Sequence, residues 1–531
     1  MVRKVSPNFI ALLCLLSSSS SLAAPVYQNA LSGLFLHLTD IHPDEFYVQG
    51  STVASSCHSL PNITSSLIDI PKSEGGYYGT PDSICDSPFS LVNATFDWID
   101  KHLAPEVDFV VWTGDNARHD SDNTHPRTQD EINTLNQRIA QKFLDTFGDP
   151  DDPTSTRRRV PVVPSIGNND VYPHNIMSAG PNPMLQTFAK LWSEFIPAQQ
   201  INTFRRGGYY SSEVVPGKIA VVALNTLHFY IHNAAVNGCV RGEDEPGAEE
   251  MDWLEAELDR LRDRGLLVYL TGHIPPEVKS YTPSCHTRYI RIALAYQDII
   301  VGHLYGHANI DHFFLLSDRK TETSLREGDV RRGAKQHRFM VPNAESIMDE
   351  NEVKDMDQAE MNYGTLDDGQ HHVATSVALS TYLEALWVQY DGIPNESDPS
   401  RYAIIQVSPS MIPTYNPTLR VFSYQLGNVS DSEACRKTKK KPGKKPRHYP
   451  PAAAPTQFGY PLAYTQYWCN LSLANKDKDK AIEYEIEYRT EDYGLAHLGT
   501  EEWLTLAQQI EADKKLKSLY LKRMVVQTNL Q

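Results

Sequence analysis

The chain has 531 residues, of which 40% are hydrophobic and 22% are charged, a composition typical of folded domains and not of a disordered chain. Its 49 Lys and Arg residues against 66 Asp and Glu residues give a net charge of −17, so we expect no nucleic-acid partner. A mean hydropathy of −0.42 excludes a polytopic membrane protein. The length allows two or three domains, or one large core with long insertions.

The first predicted element is a secretory signal peptide or signal-anchor over residues 1–24. Arg3 and Lys4 precede an apolar stretch, Phe9–Leu16, and a segment of small residues, Ser17–Ala24, follows it. The apolar stretch is shorter than the roughly 20 residues of a membrane-spanning helix. Counting the small residues into the span makes an uncleaved N-terminal membrane anchor possible, so cleavage and anchoring both stay open.

Two further features agree with the secretory pathway. Five N-x-S/T glycosylation acceptors are present: Asn62, Asn93, Asn395, Asn428 and Asn470. Apart from Cys14 in the leader there are six cysteines, an even number that predicts three disulfides. Pairing of neighbours is the simplest arrangement: Cys57 with Cys85, Cys239 with Cys285, and Cys435 with Cys469.

Short apolar runs that end in clusters of Asp, His, Asn and Gly recur between residues 31 and 318. The runs are Leu34–Leu38, Asp108–Trp112, Val160–Val163, Leu266–Leu270 and Ile299–Tyr305. Continuous apolar runs predict buried strands, and helical stretches such as Glu249–Arg264 lie between them. This alternation predicts an α/β core domain over 31–318.

The rest of the chain contains four segments that differ in composition. Residues 319–374 form an acidic insertion that we expect to be mobile, and 375–424 are expected to complete the core. Residues 436–455 form a basic Lys/Pro-rich linker, with eight positive charges between Arg436 and Arg447. This linker is either an arm that attracts a polyanion or an exposed site for a processing protease. Residues 456–531 are predicted to be mostly helical.

The polar clusters at the strand ends supply the ligand types that divalent metals bind. They contain Asp40, His42, Asp115, Asn168, His273, His307 and Asn309. In α/β sheets ligands bind beyond the carboxyl ends of the strands, where all of these clusters fall. Carboxylates and imidazoles in this number suffice for two adjacent ions with one bridging carboxylate, an arrangement that can clamp a phosphate.

Four stretches carry a resemblance to a known family: HLTDIHPDEFY, VWTGDNARHDSD, PSIGNNDVYPHN and GHANIDHF. Their order resembles the D-x-H, G-D, G-N-H, G-H and G-H-x-H blocks of the calcineurin-like metallophosphoesterase superfamily. The amino-acid sequences of these stretches resemble those of the fungal endopolyphosphatases of this superfamily, which are relatives of acid sphingomyelinase. The resemblance covers residues 31–318 closely and extends loosely through Ser408–Tyr424. It implies a two-sheet βαβ sandwich with helices outside, carrying long insertions and a C-terminal helical segment.

The resemblance also implies two divalent ions, Mg²⁺, Mn²⁺, Co²⁺ or Zn²⁺, that share Asp115. It assigns Asp40, His42, Asp115 and Asn309 to one ion, and Asp115, Asn168, His273 and His307 to the other. Two positions depart from the superfamily pattern. Asn309 replaces the second histidine of G-H-x-H, so we expect metal binding there to be weaker or shifted towards harder ions such as Mg²⁺ or Mn²⁺. Asn169 replaces the G-N-H histidine, which makes Asn169 a candidate for binding substrate and leaves the general acid unassigned.

His119, four residues after Asp115, is the candidate general acid and a second candidate for contacting substrate. A similarly spaced histidine follows the G-D block in acid sphingomyelinase-like enzymes, and imidazole can donate a proton to a departing oxygen. The alternative is that His119 only holds Asp115 in place. For the nearby Arg118, Asp120 and His174 a structural role is favoured.

These observations predict a glycosylated hydrolase that cleaves internal phosphoanhydride bonds of inorganic polyphosphate with hydroxide generated at two metals. The resemblance implies the lumen or lumenal face of the fungal vacuole, reached through the secretory pathway. One alternative is a sphingomyelinase-like phosphodiesterase, although the sequence has no amphipathic basic–aromatic helix to dock on a membrane. A second, less favoured alternative is a metal-poor binding module without catalysis.

Overall fold

Two six-stranded sheets form the centre of the structure, and helices cover them. The computed structural model describes residues 32–60, 74–148, 159–242, 244–318, 382–427 and 449–528, and residues 31–531 group into one unit. Each helix within the described ranges is too short or too polar to span a membrane. The predicted fold class, an α/β sandwich of two sheets with helices outside, is confirmed.

The first sheet contains the N-terminal strand of the described chain at an interior position. In spatial order its strands are β14 (Glu485–Arg489), β13 (Pro461–Trp468), β12 (Thr418–Gln425), β1 (Ser32–Leu38), β4 (Phe109–Trp112) and β5 (Val162–Pro164). The strands β1, β4 and β5 are parallel, whereas β12, β13 and β14 pair antiparallel with their neighbours. The three parallel strands therefore end at the same edge.

The second sheet is parallel except at its two outer strands. Its spatial order is β10 (His312–Ser317), β11 (Tyr402–Val407), β9 (Ile300–Tyr305), β8 (Leu267–Thr271), β7 (Ile219–Ala223) and β6 (Tyr210–Val215). The strands β7, β8, β9 and β11 run parallel, and β6 and β10 run antiparallel to them. Two further short strands, β2 (Pro43–Asp44) and β3 (Ser87–Pro88), pair separately.

Aromatic side chains pack the two sheets against each other. The Phe35 ring of β1 stacks between Phe109 and Phe422 of the neighbouring strands, at centroid distances of 4.6 and 4.7 Å. Its edge meets the ring of Tyr269 from the second sheet at 4.9 Å. Phe35 has no exposed surface, and loss of such a ring typically destabilises a domain by about 3–5 kcal/mol.

Helices cover the outer faces of both sheets. They are α1 (Phe89–His102), α2 (Gln129–Phe147), α3 (Pro183–Leu191), α4 (Ile201–Gly207), α5 (Pro246–Asp263), α6 (Pro283–Ala295), α7 (described over 382–391), α8 (Leu471–Ala474), α9 (Thr500–Ala512) and α10 (Lys514–Met524). The predicted leucine stripe of α5 is buried at Leu254, Leu258 and Leu261. On the first sheet, Trp112 stacks on Phe143 of α2 at 4.1 Å. These two helices therefore each bury one apolar face.

All five predicted strands are present, but the C-terminal part of the chain differs from its prediction. The stretches Thr500–Ala512 and Lys514–Met524 are helical as expected, whereas Pro461–Trp468 and Glu485–Arg489 are strands that extend the first sheet. The C-terminal segment is therefore part of the sandwich. The signal segment, the acidic insertion over 319–374 and most of the basic linker, 436–448, lie outside the described residues.

The structure contains two of the three predicted disulfides, Cys57–Cys85 and Cys239–Cys285. Cys469 is buried and unbridged among the described residues, while Cys435 lies outside them, so the third pair stays a prediction. Three of the predicted glycosylation acceptors are exposed: Asn93, Asn395 and Asn470. The other two, Asn62 and Asn428, lie outside the described residues.

Candidate metal centre

The carboxyl ends of five strands bring the predicted ligand residues together where the two sheets meet. Asp40 and His42 follow β1, Asp115 follows β4, Asn168 follows β5, His273 follows β8, and His307 and Asn309 follow β9. Hydrogen bonds join the loops across the sheets. The backbone N–H of His307 donates to Oδ2 of Asp40 at 3.0 Å, and Nδ1 of His273 donates to the Thr113 carbonyl at 2.8 Å.

The backbone of these loops is strained. Five of the seven candidate ligands have positive φ angles: Asp40 (50°), His42 (41°), Asp115 (58°), His307 (72°) and Asn309 (56°). Such conformations cost about 1–3 kcal/mol each and concentrate at functional sites, where surrounding contacts enforce them. The adjoining glycines allow the close approach, because a Cβ on Gly167 would overlap Oδ1 of Asp115 and one on Gly306 would overlap Thr39 and Asp40.

A first ligand group consists of Asp40, His42 and Asp115, all buried. Nε2 of His42 lies 3.6 Å from Oδ1 of Asp40 and 3.5 Å from Oδ2 of Asp115. Burial alone would lower the pKa of His42, but the two carboxylates raise it to about 9. The group therefore favours a cation at this point.

A second ligand group surrounds Oδ2 of the same Asp115. Nε2 of His273 lies 3.2 Å from that oxygen and 2.8 Å from Oδ1 of Asn168. Nδ1 of His307 approaches Oδ1 of Asn168 at 3.0 Å. Burial would lower the pKa of His273, yet Asp115 and Asp40 raise it to about 9, while burial and His273 lower the pKa of His307 to about 4. One carboxylate oxygen thus faces both groups.

The donor set fits bound divalent ions. Among the described residues, Nε2 of His42 and Oδ1 of Asn309 are buried without a hydrogen-bond partner, a costly state that a bound cation would relieve. Nδ1 of His42 donates to the Ala117 carbonyl at 3.0 Å, as Nδ1 of His273 does to Thr113, so Nε2 of each ring faces the carboxylates. Burial would raise the pKa of Asp115, but His273 and His42 hold it well below its usual range. Asp115 is therefore ionised, as a ligand must be.

Asn169 is used within the protein. Its backbone N–H and Nδ2 donate to the two oxygens of Asp115, each at 2.9 Å, and its Oδ1 accepts from the buried Arg127 at 3.0 Å. The side chain therefore holds Asp115 through one end and Arg127 through the other. The predicted contact of Asn169 with substrate stays a prediction.

His119 lies beside the first ligand group. Its ring stacks on His42 with a centroid distance of 4.0 Å, and its side chain is 30% exposed. Nδ1 lies 2.8 Å from Oδ1 of Asp86, and the His119 backbone N–H donates to Oδ2 of Asp86 at 2.6 Å. Because Asp86 occupies Nδ1, Nε2 is the ring atom that can exchange a proton with a ligand.

Of the three nearby residues with predicted structural roles, two are hydrogen-bonded, the buried Arg118 and the half-buried His174. Arg118 pairs with Glu131 at 2.5 Å, and His174 lies 3.0 Å from Nδ2 of Asn168. Asp120 is exposed.

Two acidic residues that position the site were not predicted from the sequence. Asp86 holds His119, and Asp170 accepts from the backbone N–H groups of Asp115 (2.9 Å), Asn116 (2.6 Å) and Gly167 (2.9 Å). Asp170 could have been recognised from the sequence, because it directly follows Gly167, Asn168 and Asn169 after β5. Asp86 follows Cys85 and precedes a two-residue strand, so no apolar run marks it.

Comparisons with known proteins agree with this geometry. The family described as calcineurin-like phosphoesterase matches residues 33–308. The chain is 40% identical over 444 residues to the endopolyphosphatase of Cryptococcus neoformans, covering 76% of this chain and 60% of that protein. It is 31% identical over 592 residues to the endopolyphosphatase of Candida glabrata, covering 94% and 87%. For that of Saccharomyces cerevisiae the identity is 34% over 436 residues, covering 76% and 62%. The chain thus spans about 60% of the Cryptococcus and Saccharomyces relatives.

Proposed function

We propose that this chain, which belongs to the calcineurin-like phosphoesterase family, hydrolyses internal phosphoanhydride bonds of inorganic polyphosphate. The site supports phosphoester or phosphoanhydride hydrolysis, and the relatives named endopolyphosphatase support polyphosphate as substrate. The observation that carries the proposal is the position of Asp115. Its Oδ2 lies 3.5 Å from Nε2 of His42 and 3.2 Å from Nε2 of His273.

Two divalent ions fit the two ligand groups. Asp40, His42, Asp115 and Asn309 would hold one, and Asp115, Asn168, His273 and His307 the other. When bound, such ions polarise a phosphoryl oxygen and lower the pKa of water so that it can attack phosphorus. The strained loops and the backbone hydrogen bonds to His42 and His273 hold the ligand side chains ready, which avoids reorganisation during the reaction.

His119 would donate a proton to the leaving group, and Asp86 would hold the His119 ring. Nδ1–H of the His119 ring donates to Asp86, which leaves Nε2 to carry the proton for the leaving group. As the bond between phosphorus and the bridging oxygen breaks, Nε2 gives its proton to that oxygen, and the attacked phosphorus keeps the oxygen from water. Asp86 is only 4% exposed and accepts from Nδ1 and from the backbone N–H of His119, so it fixes the orientation of the ring.

The decisive experiment sizes long polyphosphate on a gel after incubation with the metal-loaded full-length protein. Internal cleavage produces intermediate lengths before free phosphate accumulates. Free phosphate beside uncut long chains would instead show cleavage from the ends. A protein that leaves polyphosphate intact while hydrolysing a phosphodiester would contradict the proposed substrate.

We also propose the lumen or lumenal face of the vacuole as the location of the protein. Two disulfides support a compartment reached through the secretory pathway, because disulfides persist in oxidising compartments. Exposed acceptors at Asn93, Asn395 and Asn470 are sterically open to glycosylation. A mobility shift on deglycosylation, together with co-purification with vacuoles, is the expected result. An unglycosylated protein in the cytosolic fraction would contradict it.

A further inference from the structure

Three side chains outside the candidate metal centre converge near the loop after β4: His58, Asp122 and His125, called here the His58 cluster. Oδ2 of Asp122 lies 2.6 Å from Nδ1 of His58 and 3.0 Å from Nδ1 of His125. Oδ1 of Asp122 accepts instead from the N–H and the hydroxyl of Thr124. Two imidazole nitrogens and one carboxylate oxygen therefore point at the same small region, within 4.8 Å of one another.

These separations are close to those around a zinc ion. With ligand bonds of about 2.0–2.1 Å and tetrahedral angles, neighbouring ligand atoms lie about 3.3 Å apart. The 3.0 Å from His125 and the 2.6 Å from His58, both measured to Oδ2 of Asp122, are hydrogen-bond lengths, so an ion would replace the shared protons and open the cluster slightly. A donor set of two imidazoles and a carboxylate suits zinc and leaves a fourth position for water.

The surroundings hold His58 in the orientation that such a site requires. Its side chain is 2% exposed, and its Nε2 lies 2.8 Å from Oδ2 of Asp44, a carboxylate that is itself 1% exposed. A metal-bound histidine characteristically donates its other ring N–H to a carboxylate, which fixes the ring and makes the ligand nitrogen more basic. Asp44 therefore leaves Nδ1 directed at Asp122.

His125 is also held from two sides. Nη2 of Arg118 donates to the His125 carbonyl at 2.6 Å, and the Phe46 ring lies 4.6 Å from the His125 ring. Arg118 is buried and pairs with Glu131 at 2.5 Å, so it is itself fixed. The His125 side chain remains 35% exposed, which gives an ion and its water access from solvent.

We propose that the His58 cluster binds one zinc ion through Nδ1 of His58, Nδ1 of His125 and Oδ2 of Asp122, separately from the candidate metal centre. Its effect would be structural. Asp122 lies three residues after His119, and His58 directly follows Cys57 of the Cys57–Cys85 disulfide. A zinc ion there would therefore join the loop that carries His119 to the loop that this disulfide closes. The proposal does not depend on the proposed polyphosphate hydrolysis.

The test compares zinc content in four full-length proteins: wild type, His125→Ala, Asp122→Asn and the control Asp120→Asn. Asp120 is exposed, lies in the same loop and is outside the cluster, so the control removes the same charge. After zinc loading and dialysis, we expect both cluster variants to hold one zinc equivalent less than wild type and Asp120→Asn. Cobalt loading should likewise lose one equivalent of its visible absorption in the two cluster variants alone.

Equal zinc content in all four proteins would overturn the proposal. His125→Ala alters a partly exposed side chain, so it decides the question if Asp122→Asn fails to fold, and circular dichroism of the metal-free proteins checks both. Polyphosphate hydrolysis is not a readout, so the result stands whether or not the proposed function is correct.

Discussion

Asp115 is the residue on which both ligand groups depend. Because one of its oxygens faces His42 and His273 together, we expect Asp115→Asn to lose the charge that two cations would share. Polyphosphate hydrolysis should fall to background, and bound metal at the centre should fall with it. Metal analysis beside activity checks this, with Asp120→Asn as the control. Two ions retained with unchanged turnover would contradict a shared carboxylate.

His119 contacts the leaving group in the proposed reaction. We expect His119→Ala to lower turnover on polyphosphate by roughly 10²–10⁴-fold, the usual contribution of general acid catalysis. The loss should be smaller on nitrophenyl phosphate, because nitrophenolate leaves without a proton. Steady-state kinetics on both substrates measures the difference. Equal losses would assign His119 to supporting His42, on which its ring stacks.

Asp86 should act only through His119. Burial would raise its pKa, but His119 lowers it, so the carboxylate is ionised beside the ring. We expect Asp86→Asn to cost less than His119→Ala, and the double variant to lose no more than His119→Ala alone. A double-mutant cycle of kcat measures the coupling. Full additivity would show that Asp86 acts independently of His119.

Among the elements, the loop after β9 carries Asn309, one of the two departures from the superfamily pattern. Asn309 adopts a φ of 56°, which histidine tolerates better than most residues, so Asn309→His should fold normally. We expect activity supported by Zn²⁺ to rise relative to activity supported by Mg²⁺, since imidazole favours the softer ion. Activity across Mg²⁺, Mn²⁺, Co²⁺ and Zn²⁺ measures the ranking, and melting temperature checks the fold. An unchanged ranking would remove Asn309 from the ligand set.

The strands that bear the ligands were predictable because each is a continuous apolar run buried on both faces. The strand β14 was not predictable in this way. Its sequence, Glu485–Arg489, alternates charged and apolar residues as a strand does, but it is only five residues long and lies in the segment 456–531, which was predicted to be mostly helical. Its state is set by pairing with β13, from Thr465 opposite Arg489 onwards. The hairpin of β6 and β7 was also missed, although β7 lies in the continuous apolar run Ile219–Leu224.

The candidate ligands were predictable because their spacing from strand ends is local. The contacts that position them are not local. Asp86 reaches His119 across 33 residues, and Asp170 holds backbone groups 54 and 55 residues earlier in the chain. Such partners depend on how separate loops are packed, and no periodicity in the sequence encodes them.

Across the whole molecule, buried neutral histidines make the fold sensitive to acid. Burial lowers the pKa of His37, His228 and His303 to about 3. In an unfolded chain the pKa is about 6.5. Because the folded pKa is depressed, this contribution to stability is fully present above about pH 6.5 and is lost as pH falls towards 3.

His303→Gln isolates one of these contributions. Nδ1 of His303 lies 2.8 Å from the buried Tyr289 hydroxyl, a partner that an amide can retain. Between pH 7 and pH 4 the unfolding free energy of the variant should fall by about 3 kcal/mol less than that of wild type. Urea unfolding of the metal-free proteins measures this, with His102→Gln on the half-buried end of α1 as the control. Parallel pH profiles would contradict the assignment.

The pairing of β1 with β12 sets when a nascent chain can become active. Ser32 lies opposite Gln425, so the strand that precedes Asp40 and His42 gains this neighbour only after residue 425 has been translated. The same holds for β9, whose parallel neighbour β11 begins at Tyr402. A ribosome-bound chain that ends before residue 400 has all seven candidate ligands but lacks β11 and β12, so β1 and β9, which are interior strands of the complete sheets, each expose an unpaired edge. Truncated translation products of this protein should therefore be inactive and prone to aggregate through those edges.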